Sequence, residues 1–292
     1  MASEWILLSL LSAFSLATSD AFTKRALETC NEYLVAWFRL LSSLPILVVL
    51  LIWIPRPELD SHFFGAFALA LPLEVTSVIL YIKALRLSPL SLTLPFLSLT
   101  PVFAIVISYS ILGEKVSLQG MAGIFFLAAG SYVLQLHELR NGILDPFRAI
   151  AKEKGSLLMI LVAFIYSITS PLGKMAIMHS SPLFFGITYI VCLTILFTPL
   201  ALWKGRHDIR TFLQHGYHRR LVIPGMFYAL MVVTHMTAIS LTKVAYMISL
   251  KRTSVLMGVI YGYFLLREKN IQERLAGAII MTVGFMMIVM AE

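Results

Sequence analysis

Two adjacent cations, Lys251 and Arg252, sit inside a run of apolar residues that is otherwise uncharged from Val244 to Leu266. If a helix began only after Arg252, about 14 apolar residues would be left, short of the ~20 that cross a bilayer. The pair therefore belongs inside the membrane, where each cation costs about 2.5–3.5 kcal/mol on insertion scales. The alternative is a pair of interfacial cations reaching outward, which the span length disfavours. Cations held at that depth suit an anionic group, phosphate or carboxylate, with the arginine offering a two-pronged contact.

Glu74 follows Pro72 in the middle of another apolar run. It reads as a proton-coupling carboxyl, as a counter-ion to Lys251 and Arg252 or to a substrate amine, or as a protonated residue bonded to its neighbours. Tyr81 lies seven residues on, nearly two turns, so it shares the face of Glu74. Tyr228 and His235 repeat that spacing in a later run. They read as a polar stripe on the cavity or as bonded residues between helices, and His235 titrates close enough to neutrality to be a second coupling candidate. Arg39, also within an apolar run, reads as structural, bonded to carbonyls or to Asp20, or as snorkelling outward.

The elements that must carry these residues are helices in lipid. The chain has 292 residues, 59% hydrophobic and 13% charged, about half the charge of a soluble domain. Apolar runs of about 20 residues alternate with short polar breaks, which is the signature of transmembrane helices and not of a β-barrel. The spans are expected near 4–24, 33–54, 62–86, 89–112, 117–136, 155–179, 182–203, 221–243, 245–267 and 271–291. The first lacks a basic leader and reads as a span, not a cleaved signal. Trp5, Trp37, Trp53 and Trp203 fall near span ends, as interfacial belts require. The breaks 137–154 and 204–220 read as short interfacial helices, started by Asp145-Pro146 and by Asp208, the latter ended at Gly216.

The net charge of +8 does not signal nucleic acid. Sixteen Lys and Arg residues fall in breaks on one face and four (Arg56, Lys115, Lys174, Lys243) on the face carrying the termini. This distribution puts the termini outside and the basic loops in the cytoplasm. Cys30 and Cys192 form neither a disulfide framework nor a metal motif. No phosphate-binding loop, metal-ligand cluster or catalytic triad is legible, so no cofactor is expected and transport powered by ATP through this chain alone is excluded.

The chain also repeats itself. A shift of 154 lays Thr100–Val133 on Ser254–Met287 without a gap: Leu112-Gly113-Glu114-Lys115 falls on Leu266-Arg267-Glu268-Lys269, Gly123 on Gly277 and Gly130 on Gly284. The same shift places Glu74 on Tyr228 and Tyr81 on His235. A shift of 150 pairs Lys24 with Lys174 and Trp53 with Trp203. Five spans in each half is an odd number, so the second half is inverted, an architecture with its site at the repeat interface. The organisation expected is a first five-helix repeat over 1–136, a cytoplasmic linker over 137–154 and a second repeat over 155–292. Glu114 and Glu268, at the starts of the following helices, read as helix-dipole partners or as gating residues. Gly123 and Gly130 read as close-packing positions.

At Leu99-Thr100-Pro101-Val102-Phe103 and Leu112-Gly113-Glu114-Lys115, with the second copy at Leu266-Arg267-Glu268-Lys269, the sequence resembles the EamA-type drug/metabolite transporter superfamily over its whole length. That resemblance implies ten helices around a central cavity. Ser240-Leu241-Thr242 and Lys251-Arg252-Thr253-Ser254-Val255 are similar to sugar-phosphate/phosphate translocators of the same superfamily. There a Lys-Arg pair grips phosphate with the aid of a tyrosine, which Tyr228 would match. Those translocators have a histidine and a lysine where this chain has Glu74 and Thr93, so triose phosphate itself is not implied.

The expectation is an all-α secondary transporter, not an enzyme, in a bacterial-type cytoplasmic (inner) membrane. Its substrate is a small anionic or zwitterionic metabolite held by Lys251, Arg252, Glu74, Tyr228, His235, Tyr81 and Thr93. Glu74, His235, Glu114 and Glu268 are the coupling or gating residues. Its partners are that small molecule and the lipid bilayer, with a proton or counter-substrate for coupling and a homodimer as an allowed assembly; nucleic acid is not among them. The alternatives are a flippase for a phosphate-bearing lipid headgroup, a membrane-embedded enzyme on lipid-linked substrates, and a receptor or scaffold. The scattered intramembrane charges disfavour the enzyme, and no appended soluble domain supports the scaffold.

Overall fold

The computed structural model describes residues 4–88, 93–136, 154–266 and 275–292. Among them the chain is all helical. The long helices are α1 (Glu4–Leu27), α2 (Glu32–Ile52), α3 (Ser61–Leu87), α4 (Leu99–Leu112), α5 (Leu118–Leu136), α6 (Lys154–Met178), α7 (Pro182–Gly205), α8 (Val222–Leu241), α9 (Val244–Lys251), α10 (Ser254–Leu266) and α11 (Leu275–Val289). A 3-10 turn, Leu94–Ser98, leads into α4. Residues 137–153 of the linker expected over 137–154, with Asp145 and Pro146, and Glu268 lie outside the described residues.

Among the described residues seven helical segments are long and apolar enough to cross a bilayer, and Leu118–Val133 and Gly277–Val289 are shorter apolar helices. Their outward faces carry large apolar side chains such as Leu7, Phe64, Val106 and Ile195, as lipid contact demands. The protein is thus a polytopic α-helical membrane protein. The span expected at 245–267 is two helices, broken between Lys251 and Ser254. Within the span expected at 89–112, Leu94–Ser98 forms the 3-10 turn, with Pro95 near its start, where a missing backbone donor is tolerated.

Two local readings are corrected. Trp5 is buried inside the bundle, while Trp53 and Trp203 are exposed, so the indole of Trp5 serves packing and not an interfacial belt. The 204–220 break does hold short helices, Ile209–Gln214 and Tyr217–Arg220, with Gly216 at φ 68° between them. Asp208 stands at the first of these, but its side chain accepts from Asn31 Nδ2 (2.9 Å) instead of capping.

The extensive helix interfaces run between the two halves of the chain: α5 with α11, α3 with α6, α1 with α8, α4 with α6, α2 with α7 and α1 with α10. The pairings survive exchange of the halves, since α3 with α6 becomes α8 with α1, and α4 with α6 becomes α10 with α1. At the α5–α11 crossing a Cβ on Gly123 would lie 2.8 Å from the Gly284 carbonyl oxygen, and one on Gly284 would lie 2.6 Å from that of Gly123. A Cβ on Gly130 would meet the Gly277 oxygen at 2.7 Å. Gly123 faces Gly284 while Gly130 faces Gly277, so the two helices cross antiparallel, in backbone contact that only glycine allows.

Lysine contacts repeat across the halves in the same way. Lys24 donates to the carbonyls of Leu85 and, at 2.8 Å, Ser88. Lys174 donates to the carbonyl of Thr242 at 2.6 Å, the position 154 residues after Ser88. Lys174 also meets Glu114 at 2.5 Å, and the other oxygen of Glu114 accepts from the backbone N–H of Val244 at 2.9 Å. Glu114 therefore caps α9, across the halves, and not the helix that follows it in sequence. At this end of the bundle Thr242 also donates to Glu292 (2.7 Å). Phe63, Phe185 and Tyr189 pack there with Ile177, Ile239, Val244 and Ile248 as a separate apolar cluster.

Candidate functional site

The break between α9 and α10 builds the site. Lys251 occupies the last turn of α9, where unpaired carbonyls favour a cation. The Arg252 N–H closes the helix on Ile248 and Ser249, and Thr253 Oγ1 donates to the Leu250 carbonyl at 2.8 Å. The chain turns here, and both cations line a cavity of about 110 Å³.

Lys251 and Arg252 are only 9% and 4% exposed. Lys251 Nζ lies 3.3 Å from His235 Nδ1 and 3.2 Å from Met231 Sδ, a weak acceptor. Arg252 donates from one nitrogen to Thr100 Oγ1 (3.2 Å), and its buried Nε has no partner. Among the described residues neither cation has a carboxylate within 4.0 Å. Two buried cations with unfilled donors are costly unless something negative joins them.

Arg39 is the contrast. Its NH1 contacts Asp20 Oδ1 at 3.1 Å, and Tyr81 donates its hydroxyl to Asp20 Oδ2. The guanidinium sits 4.7 Å from the centre of the Tyr228 ring and 5.8 Å from that of Tyr81. This charge is compensated, so Arg39 fixes the two tyrosines on one wall. Glu74 lines the same cavity, half-buried, and the Ser77 hydroxyl donates to its backbone carbonyl at 2.9 Å.

The structure brings six of the sequence candidates, Glu74, Tyr81, Tyr228, His235, Lys251 and Arg252, around this cavity. Thr93 is buried before the 3-10 turn and does not line it: the turn shifts the register that an unbroken helix would have had. Glu114 lies away from it in the end contacts described above, and Glu268 lies outside the described residues. Tyr166, Thr169, Tyr189 and Met231 also line the cavity and were not singled out from sequence. Tyrosine, threonine and methionine are ordinary in apolar helices, so residue type alone does not mark these four.

One crystal structure, described as "Crystal structure of protein", superposes on the chain with a TM-score of 0.69, covering 99% of this chain and 98% of that one at 13% identity, a likeness of fold alone. No curated protein matches by sequence. The EamA-like transporter family matches twice, over residues 3–136 and 153–290, which together span nearly the whole chain. With a polar cavity enclosed by membrane helices and a family of transporters, not of enzymes, matched in both halves, the chain belongs to the EamA-like transporter family.

Proposed function

We infer that the protein is a secondary transporter of a small anionic or zwitterionic metabolite, working by alternating access. The observation that carries this reading is the pair Lys251 and Arg252, buried against the cavity with no carboxylate within 4.0 Å among the described residues. A carboxylate or phosphate would complete it through charge-assisted hydrogen bonds. Glu74 across the cavity suits a substrate ammonium, which makes amino-acid-like compounds and organophosphates the two classes to test. Glu74 and His235 are the proton-coupling candidates.

The architecture proposed is ten spans in two inverted five-helix repeats, over 1–136 and 155–292, with the α9–α10 segment counted as one broken span. The twofold family match, the exchangeable helix pairings and the reciprocal contacts of Gly123 with Gly284 and Gly130 with Gly277 support it. Broken helices at the repeat interface are how such folds form a midplane site. In this reading Glu114, Lys174 and the aromatic cluster around Phe63 close the end that carries the termini, outside a bacterial-type inner membrane.

The test is a thermal-shift screen of purified protein against phosphorylated metabolites, amino acids and nucleosides. Stabilisation by anionic or zwitterionic compounds that disappears in Lys251→Gln is the expected result. Stabilisation by neutral or cationic compounds alone would overturn the assignment.

A further inference from the structure

Outside the cavity, three metal-ligating side chains meet at the end of the bundle that holds the Glu114–Lys174 contact. Asp60 precedes α3, His62 is the second residue of α3, and His179 follows α6. His179 Nδ1 lies 2.7 Å and His62 Nδ1 3.5 Å from the same oxygen, Asp60 Oδ2. The imidazoles stack with centroids 4.8 Å apart and planes 16° from parallel, and both turn Nδ1 toward the carboxylate. One ligand atom from each of the three lies within 4.8 Å of the other two.

The carboxylate is held in place. Asp60 Oδ1 accepts from the backbone N–H of Phe63 at 2.9 Å and caps α3, which leaves Oδ2 facing the rings. A carboxylate oriented by a backbone donor, with two imidazoles directed at its free oxygen, is a preformed three-ligand face. Exposure of the three side chains to solvent, 48% for Asp60, 66% for His62 and 34% for His179, gives an ion access and lets the rings rotate slightly onto bonds of about 2.0–2.2 Å. Two imidazole nitrogens with one carboxylate select a transition metal over magnesium or calcium.

We propose that Asp60, His62 and His179 bind a divalent transition-metal ion of the zinc type, with water as the remaining ligand, and that the ion ties the start of α3 to the end of α6. Binding needs each imidazole to coordinate through Nδ1 and carry its proton on Nε2; the proton on the bonded Nδ1 leaves to solvent. The tie joins the two halves of the chain beside Phe63, whose ring packs edge-on to Phe185, a residue lining the end of the cavity. An occupied site would hold that end shut.

The experiment uses full-length, untagged protein in detergent, stripped with chelator and titrated with Zn²⁺ by calorimetry, with Co²⁺ absorption as a second readout. Expected are one saturable site, the intense visible bands of four-coordinate Co²⁺, and Zn²⁺-dependent thermal stabilisation. In His62→Ala/His179→Ala the affinity should fall at least about tenfold and the bands should vanish. Asp60→Asn should weaken binding while leaving the fold intact, since asparagine still caps a helix. Equal Zn²⁺ affinity in the double variant, or no saturable binding to the wild type, overturns the proposal. No readout here depends on transport, so the result is independent of the substrate assignment.

Discussion

Lys251 Nζ lies 3.3 Å from His235 Nδ1, so a buried ammonium faces an imidazole where a carboxylate would ordinarily stand. The imidazole must be neutral to accept that contact, so the ammonium has no ion-pair partner within 4.0 Å among the described residues. Removing the charge should therefore separate binding from stability. Lys251→Gln and Arg252→Gln each remove a charge-assisted hydrogen bond to the ligand, worth about 1.5–3 kcal/mol, or roughly 10- to 150-fold in affinity. Both variants should keep or raise the thermal midpoint, because a buried unpaired cation disappears. Titrating a stabilising ligand against each variant, with its unfolding curve, measures both halves of the expectation.

Asp20 and Arg39 should behave in the opposite way. Their 3.1 Å contact is fully buried and supports Tyr81 and Tyr228. Asp20→Asn alone leaves the guanidinium unbalanced and should cost about 3–5 kcal/mol. Asp20→Asn combined with Arg39→Gln should recover part of that loss. Thermal unfolding of the single and double variants checks the coupling, and additive losses would argue against it.

The crossing of α5 and α11 predicts a steric effect. A methyl at Gly123 or Gly284 would come within 2.8 Å or 2.6 Å of a carbonyl oxygen on the opposite helix. Each alanine variant should lose about 1–3 kcal/mol through forced separation of the helices, and leucine should do worse. Gly65, with nothing near its Cβ position, is the internal control and should accept alanine without loss.

The Glu114 contact with Lys174 and with the start of α9 predicts a change in access. Glu114→Gln keeps an acceptor for Val244 but loses the charge that holds Lys174. In a background with Cys30 and Cys192 changed to serine, a cysteine at Ile239 should react faster with a membrane-impermeant maleimide once Glu114→Gln is added. An unchanged labelling rate would remove Glu114 from the closing contacts.

Asp60 supplies a pH test. Its carboxyl is held below the usual carboxylate range, first by the Phe63 backbone N–H and then by His179 and His62. A group with a lowered folded pKa contributes stability that is present above its unfolded pKa, near 4, and is lost as pH falls through the folded value. Wild type should therefore exceed Asp60→Asn in thermal midpoint at pH 7, and the gap should close near pH 3.

Much of the site could be read from sequence because ionisable residues in apolar helices are rare. Glu74, Lys251 and Arg252 were visible for that reason, and the sevenfold spacings brought in Tyr81, Tyr228 and His235. Period alone does not say which face of a lipid-embedded helix looks inward, because the outward face is as apolar as the core. That is why Tyr166 and Tyr189 were passed over, and why Trp5, buried in the bundle, looked like a belt residue. Thr93 stands before a 3-10 turn, which advances about 120° per residue and not 100°, so counting across it misplaces a side chain. Glu114 was found by the repeat, but a cap donated across the halves leaves no local trace.

The break after Lys251 also bears on how the chain reaches the membrane. Its two flanking helices have 8 and 13 residues, and neither is long enough to partition into lipid alone. With two cations between them, the α9–α10 segment has little tendency to leave a translocation channel sideways by itself. Its arrival must be cooperative, completed by helices such as α1 and α4 that already wait in the bilayer. The two cations that line the cavity thus also set an order of assembly, in which the second half of the chain depends on the first.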